Sequence, residues 1–557
     1  MKKGFLVLVV LILALSLGLA ACSSTGSSTS PSTQPAPTQS TSAPTQPLAT
    51  TTSPATSQAT ATAPASTPPK TTTSPSPTGG PQLGGLLKII TTVSPAILGY
   101  PPDADPNTNS LGIAAMESLV YNDQTGSPTP RLATAWQVSA DGKTATFTLR
   151  KGVKFHDGTD FNAQAVKYIL DLSRAKAGTD ISKMVASIDV IDDYTVRLNL
   201  TQFSNVMFNT LAFSGMVSPT SLQKNGADWA RTNIVGTGAF YQADFKRDAW
   251  LKYLKSGNYW DIGKPYLDGI EYDIVADATT AQIAFRSGAA QFLLQPTPKV
   301  ASDLQKQGFT VRNYPGSLWF LAPDSANQNS PFSKKGVREA VEYALDRNAI
   351  ANAVGYGFLH GVNQLTGPLM TGYNPAIVGR PYNVAKAKQL LADAGYPSGF
   401  KTTLYALNTT DNDTLVAIQG YLAAVGIVAN IDLCDSGRWI QVRSGSGWVN
   451  GLMMTRTGQD PNLAQRLIPD IGGGALYYKN MARPAQWDAL LAQATAAQDT
   501  AGREKALQQF MQLASDDATV VPLWTGDDIG VLDKTVNCDY LIIHHVQWKP
   551  GEAWLSK

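Results

Sequence analysis

The chain has 557 residues, 44 Lys and Arg against 42 Asp and Glu for a formal net charge of +2, and 3 cysteines. That length exceeds one small domain and suggests roughly three compact units. The near balance of charge, without a Lys/Arg run interleaved with aromatics, argues against nucleic acid as a partner, and so few cysteines argue against a disulfide framework.

Met1 to Ala21 reads as an export signal. Lys2 and Lys3 form its charged start, Phe5 to Leu19 is almost uninterrupted apolar sequence, and Leu19-Ala20-Ala21-Cys22 ends it in small residues. The apolar run is short for a membrane span, and no positive charge follows it until Lys70. The Leu-Ala-Ala-Cys ending resembles a bacterial lipobox, which implies Cys22 as a lipid anchor and residues 1–22 as a lipoprotein signal. Several acyl chains, each buried methylene contributing ~0.8 kcal/mol, would make detachment slow. Ser23 to Gly80 is nearly all Ser, Thr, Pro, Ala, Gln and Gly. Such a tract buries too little apolar surface to offset its ordering entropy, so 23–82 is expected to be a disordered tether.

The folded region starts at Leu86 to Thr92, which has strand composition, followed by a turn-rich loop from Gly99 to Asn109. Ile113 to Val120 has helical apolar spacing. Ala145, Phe147 and Leu149 alternate with Thr146, Thr148 and Arg150, the period of a half-buried strand, behind a hairpin signal at Asp141-Gly142. Asn162 is placed to cap a helix whose apolar side holds Val166, Ile169 and Leu170. Farther on, Val337 to Ile350 reads as one amphipathic helix, and Trp487 to Gln498 and Arg503 to Ala514 as two more. Between them, Leu452-Met453-Met454 reads as a short buried strand feeding the loop Thr455-Arg456-Thr457-Gly458-Gln459-Asp460-Pro461-Asn462. A guanidinium and a carboxylate in one irregular turn can meet a ligand without being packed in a core, although a solvated turn has the same composition.

The run Arg150-Lys151-Gly152-Val153-Lys154-Phe155-His156-Asp157-Gly158, continued by Phe161-Asn162-Ala163, closely resembles the signature of the family 5 solute-binding proteins of bacterial ABC importers, the oligopeptide, dipeptide and nickel type. Val235 to Phe240, Asn258-Tyr259-Trp260, Pro265 to Ile270, Phe285 to Gly288, Val337 to Ile350 and Lys386 to Tyr396 resemble further family elements in the same order. His156 then reads as part of a structural turn. The resemblance implies a two-lobed α/β fold of the periplasmic-binding-protein type, class II-like, with an additional inserted domain after the lipoprotein tether. One lobe would combine 83–126, 226–313 and 519–557, with 127–225 inserted into it, and the other would run over 314–518.

That resemblance also implies a monomer tied to the membrane by its lipid, in the periplasm or at the cell surface. It would bind a peptide or related small solute, need no cofactor or metal, and work with ABC permease and ATPase subunits. Catalytic signatures are missing: Gln137 stands where a phosphate-cradling loop needs Gly, Tyr241 and His360 stand where dinucleotide turns need a third Gly, and the four histidines lack metal spacing, with His544 and His545 adjacent. An enzyme is therefore not expected, the alternatives being a lipid-anchored extracellular hydrolase or a non-transport surface lipoprotein.

Candidate ligand contacts are Asp460 and Arg456, the aromatic segment Trp319-Phe320, Trp448 beside Arg443 with Trp439 on its other side, and Asp105 in an Asp-Pro-Asn loop that resembles a family loop near the cleft. Core aromatics and a plain turn remain open alternatives for these. Peptide-binding members carry an acidic residue slightly before the Asp-Pro, with a Trp ahead of it. Here the loop is shorter, Arg456 takes the Trp-like place and Asp460 is the only carboxylate. Such an Arg calls either for an anionic ligand group or for an ion pair with Asp460. Cys434 and Cys538 fit a disulfide and two buried thiols equally well.

Overall fold

The computed structural model describes residues 80–103, 110–123, 126–444, 447–460, 462–475, 477–538 and 548–557. Cys22, the signal and nearly all of the Ser/Thr/Pro tract, Asp105, Pro461 and the His544-His545 pair lie outside the described residues.

Two long strands, Thr310–Pro323 and Val521–Leu532, pair antiparallel from Thr310 opposite Leu532 to Leu321 opposite Val521. Fourteen residues at about 3.3 Å each carry the first of them some 45 Å, far enough to belong to two cores. On one side the sheet continues through Gly451–Gly458, Phe400–Leu407 and Ile427–Cys434. On the other it runs through Phe292–Leu294, Leu86–Thr91, Gly269–Ile274, Trp250–Lys255 and Phe240–Lys246. Leu359–Gly361 pairs with Val521–Leu532 as well. The register slips between Pro315 and Ser317, and again between Trp319 and Phe320, so the crossing is bulged where it passes from one core to the next.

A separate four-stranded antiparallel sheet, ordered Ala133–Val138, Thr144–Leu149, Thr195–Leu200 and Val185–Asp192, shares the core of Leu87, Ile89 and Tyr272. Its hairpin turns at Gly142, whose φ of +68° favours glycine. Ala145, Phe147 and Leu149 point inward, as their alternation requires. Asn162 caps the helix Ala163–Ala175 by accepting from the Ala165 N–H at 3.0 Å, and His156 Nε2 meets the Gly238 carbonyl at 2.9 Å within a structural turn. The second half has cores built on Leu318, Phe320 and Met453 and on Leu321, Leu404 and Trp524.

Two local expectations fail for identifiable reasons. Residues 113–119 are turns and irregular chain, not helix. The backbone carbonyls of Ala114 and Ala115, which a helix would use internally, accept from the N–H groups of Phe240 and Gly238, each at 3.0 Å. That approach needs glycine: a Cβ at Gly236 would lie 2.2 Å from the Ala115 oxygen, and one at Gly238 2.5 Å from the Ala114 oxygen. The expected single helix over Val337 to Ile350 is two, Lys335–Ala344 and Arg347–Gly355. Leu345 is extended, and Asp346 restarts the chain by accepting from the Ala349 N–H at 2.9 Å. The turn lets Arg347 bury its guanidinium against the Pro522 carbonyl at 2.6 Å and Glu342 at 3.2 Å. Cys434 and Cys538 are both buried and are not joined in a disulfide.

Candidate functional site

The strand Gly451–Gly458 is longer than its apolar run suggests, taking in Thr455 to Gly458 that read as loop. Alternation sorts its side chains. Met453 and Thr455 face a core in which the Thr455 hydroxyl bonds the Tyr478 hydroxyl at 2.7 Å. Thr457, in step with them, donates to Asp470 at 2.7 Å. Burial pushes the Asp470 carboxyl up, against that hydrogen bond and the charges of Arg466 and Arg443. Arg456 alternates away from this core and is exposed.

Across the sheet, Arg456 pairs with Trp319, and its guanidinium carbon sits 5.6 Å from the centre of the indole. Trp319 is half-buried, whereas its neighbour Phe320 is fully enclosed and packs edge-on against Tyr478 at 5.7 Å. Trp448 is equally enclosed, 6.1 Å from the same ring. The expected aromatic wall therefore reduces to Trp319, because the side chains of Phe320 and Trp448 face into the core. Trp439 is buried too, and Arg443 stacks on Tyr477 at 3.7 Å.

Asp460 is buried, and its carboxylate meets Arg466 Nε at 3.3 Å. The Arg456 to Asp460 pair, one of the two alternatives open for this arginine, does not form: the arginine that meets Asp460 comes from the helix Leu463–Ile471 that follows. Gln459 fixes the start of the loop. Its N–H donates to the Gly316 carbonyl at 3.0 Å, and its side-chain oxygen accepts from the Gly367 N–H at 3.3 Å.

The crossing strands add two carboxylates that the sequence reading passed over. Asp527 sits between Asn313, 2.5 Å away, and His360 Nε2 at 3.2 Å, which raises the histidine's proton affinity. Asp528, opposite Tyr314, lies against Gly316, where a Cβ would come 2.3 Å from its carboxyl carbon. Burial pushes Asp528 up to about 7, with Arg456 drawing it down and Asp527 raising it further. Adjacent aspartates inside a strand of otherwise apolar and small residues were the signal to notice.

A second junction lies near Asp460. Asn462 donates to the Asn205 side-chain oxygen at 2.9 Å, while the Asn205 amide donates to the carbonyls of Ala494 at 2.7 Å and Ala497 at 3.0 Å. Asn209 on the helix Val206–Phe213 donates to Gln465 and accepts from Asn122. No group of three metal-ligating side chains occurs among the described residues.

Residues 127–465 match the sequence model of the bacterial extracellular solute-binding proteins, family 5 Middle. The chain belongs to this family 5 of solute-binding proteins. The glutathione-binding protein GsiB of Shigella flexneri is 32% identical over 413 residues, covering 70% of this chain and 79% of that protein. Among solved structures, the periplasmic binding protein DppA of Helicobacter pylori in complex with the peptide STSA superposes with a TM-score of 0.70 at 24% identity, covering 86% of this chain and 99% of that one. AgaA of Agrobacterium tumefaciens R10, in complex with agropinic acid, superposes at 0.66 and 26% identity, covering 85% and 99%. The fold is the two-lobed arrangement of these binding proteins. As a family 5 member, the chain is a substrate-binding protein and acts on the extracytoplasmic side.

Proposed function

We propose that this protein captures a peptide or peptide-like solute between its lobes and presents it to an ABC permease driven by its ATPase subunits. The feature that supports it most is the pair of strands Thr310–Pro323 and Val521–Leu532, which join two cores and are bulged between Pro315 and Ser317. A two-stranded connection of that kind can bend, and a solute closes such a hinge only through contacts better made in the closed form. The hydrogen bonds of Asn205 and Asn209 to the segment 462–497 are contacts of that closed form.

In this reading 83–126, 226–313 and 519–557 make one lobe, 127–225 an insertion in it, and 314–518 the other lobe. The protein works as a monomer held to the membrane through Cys22.

Native mass spectrometry of the purified protein for co-purified solute, followed by thermal-shift titration with glutathione and di- to pentapeptides, tests this reading. Stabilisation by a member of that set, with the solute recovered unchanged, is expected. Turnover of the solute would favour the hydrolase, and indifference to every compound would remove the peptide class.

A further inference from the structure

Where the long strands run beside Gly451–Gly458, two rows of paired residues matter. Trp319 lies between Arg456 and Trp524, and one step along, Ser317 lies between Gly458 and Gly526. Directly paired residues share a face of a sheet, as do residues i and i+2, so Ser317, Trp319 and Arg456 emerge on the same side. The flanking glycines keep that side low. A Cβ at Gly526 would come 3.6 Å from Trp319 Nε1, and one at Gly458 2.9 Å from Arg466 Nε.

The patch is rich in donors. Among the described residues, the Arg456 guanidinium, the Trp319 indole N–H and the Ser317 hydroxyl have no hydrogen-bond acceptor, and none of the three side chains is fully buried. Arg466 is already engaged by Asp460. Asp528, whose carboxyl feels the Arg456 charge, is buried, and that burial pushes its carboxyl up toward the neutral form. A guanidinium steadied over an aromatic face, with two neutral donors beside it, matches a planar carboxylate, which accepts two parallel N–H bonds from arginine. The position also suits a ligand gripped by both lobes: Arg456 is next to the bulged crossing and six residues before Asn462, which bonds Asn205.

We propose that Arg456, with Trp319 and Ser317, binds a carboxylate of the solute, so that the substrate class is a free-acid peptide or peptide-like anion. This rests on the solute-binding reading above and adds the charge that the solute must carry.

The test is thermal-shift and calorimetric titration of the full chain with glutathione, its diethyl ester, tri-alanine and tri-alanine amide, repeated in Arg456→Gln and Arg456→Lys. At least one free acid should bind, its ester or amide at least tenfold more weakly. Arg456→Gln should lose tenfold or more for the acid while melting normally without ligand, and Arg456→Lys should keep part of the affinity. Neutral forms binding as well as the acids, or Arg456→Gln binding the acid within twofold of the parent, would overturn the carboxylate site and leave solute binding standing. Indifference to both the acids and their neutral forms would sink both readings.

Discussion

Asn462 donates to the Asn205 side-chain oxygen at 2.9 Å, tying together segments 257 residues apart in the chain. Every polar group of the Asn205 side chain is used in this contact, since its amide also reaches Ala494 and Ala497, and its backbone N–H donates to the Thr495 carbonyl at 2.8 Å. The clasp is neutral, so salt should not screen it.

Replacing Asn205 by Ala removes three side-chain hydrogen bonds that the proposed hinge mechanism assigns to its closed form. At about 0.5–1.5 kcal/mol net for each, closure should weaken by about 2 kcal/mol and solute affinity should fall on the order of thirtyfold. Small-angle scattering of the ligand-free variant should show a larger radius of gyration at both low and high salt. An unchanged radius together with unchanged affinity would mean that these bonds do not govern closure.

Asp528 should make stability depend on pH. Its folded-state value of about 7 stands above the ordinary 3.8. Between those values the folded chain holds a proton that the unfolded chain has released, so stability falls as pH rises from about 4 to 7. The full cost, reached by pH 8, has an upper bound of about 4 kcal/mol. Asp528→Asn should therefore gain more relative to the parent at pH 8 than at pH 5 in urea unfolding; parallel pH profiles for the two proteins would refute the assignment.

Glu117 anchors a buried network. Arg131 meets it at 2.5 Å, Trp260 Nε1 donates to it at 2.9 Å, and Tyr259 and Thr237 each donate at 3.0 Å. Glu117→Ala leaves the Arg131 charge buried without its counterion, a loss of about 3–5 kcal/mol. Chemical denaturation should show a lowered midpoint, and Glu117→Gln, which fills the same space and keeps one of the two accepting oxygens, should lose less. Equal midpoints for Glu117→Ala and the parent would show that the network adds nothing.

Gly236→Ala should cost at least as much as a typical overpacked core substitution, about 1–3 kcal/mol, because the new Cβ meets the Ala115 carbonyl. Gly257→Ala is the control, since nothing lies within 4 Å of a Cβ there. Similar melting temperatures for the two variants would count against the close-approach argument.

Much of this architecture was legible in local pattern. The period-two run at Ala145 to Leu149 and the Asn162 cap depend on residues within a few positions, and they formed as read. The ordered motifs from Arg150 to Tyr396 pointed to the family because each marks a turn or cap at a set place along the chain. Local pattern failed where a distant backbone competed for the same hydrogen bonds. The carbonyls of Ala114 and Ala115 are taken by Gly238 and Phe240, and Asp346 caps a second helix that lets Arg347 reach Pro522.

The same division runs through the site. That the loop after Met454 carries one arginine and one carboxylate is a property of the sequence, and so is the choice it posed between an internal ion pair and an anionic ligand. The tertiary structure removes the internal pair, because charge pairing depends on distance in space: Arg466, brought back by a helix, meets Asp460, while strand pairing sets Arg456 over Trp319. Trp319 and Phe320 are equivalent as neighbours in sequence, and only the alternation of a strand between two cores turns one toward the patch and seals the other inside.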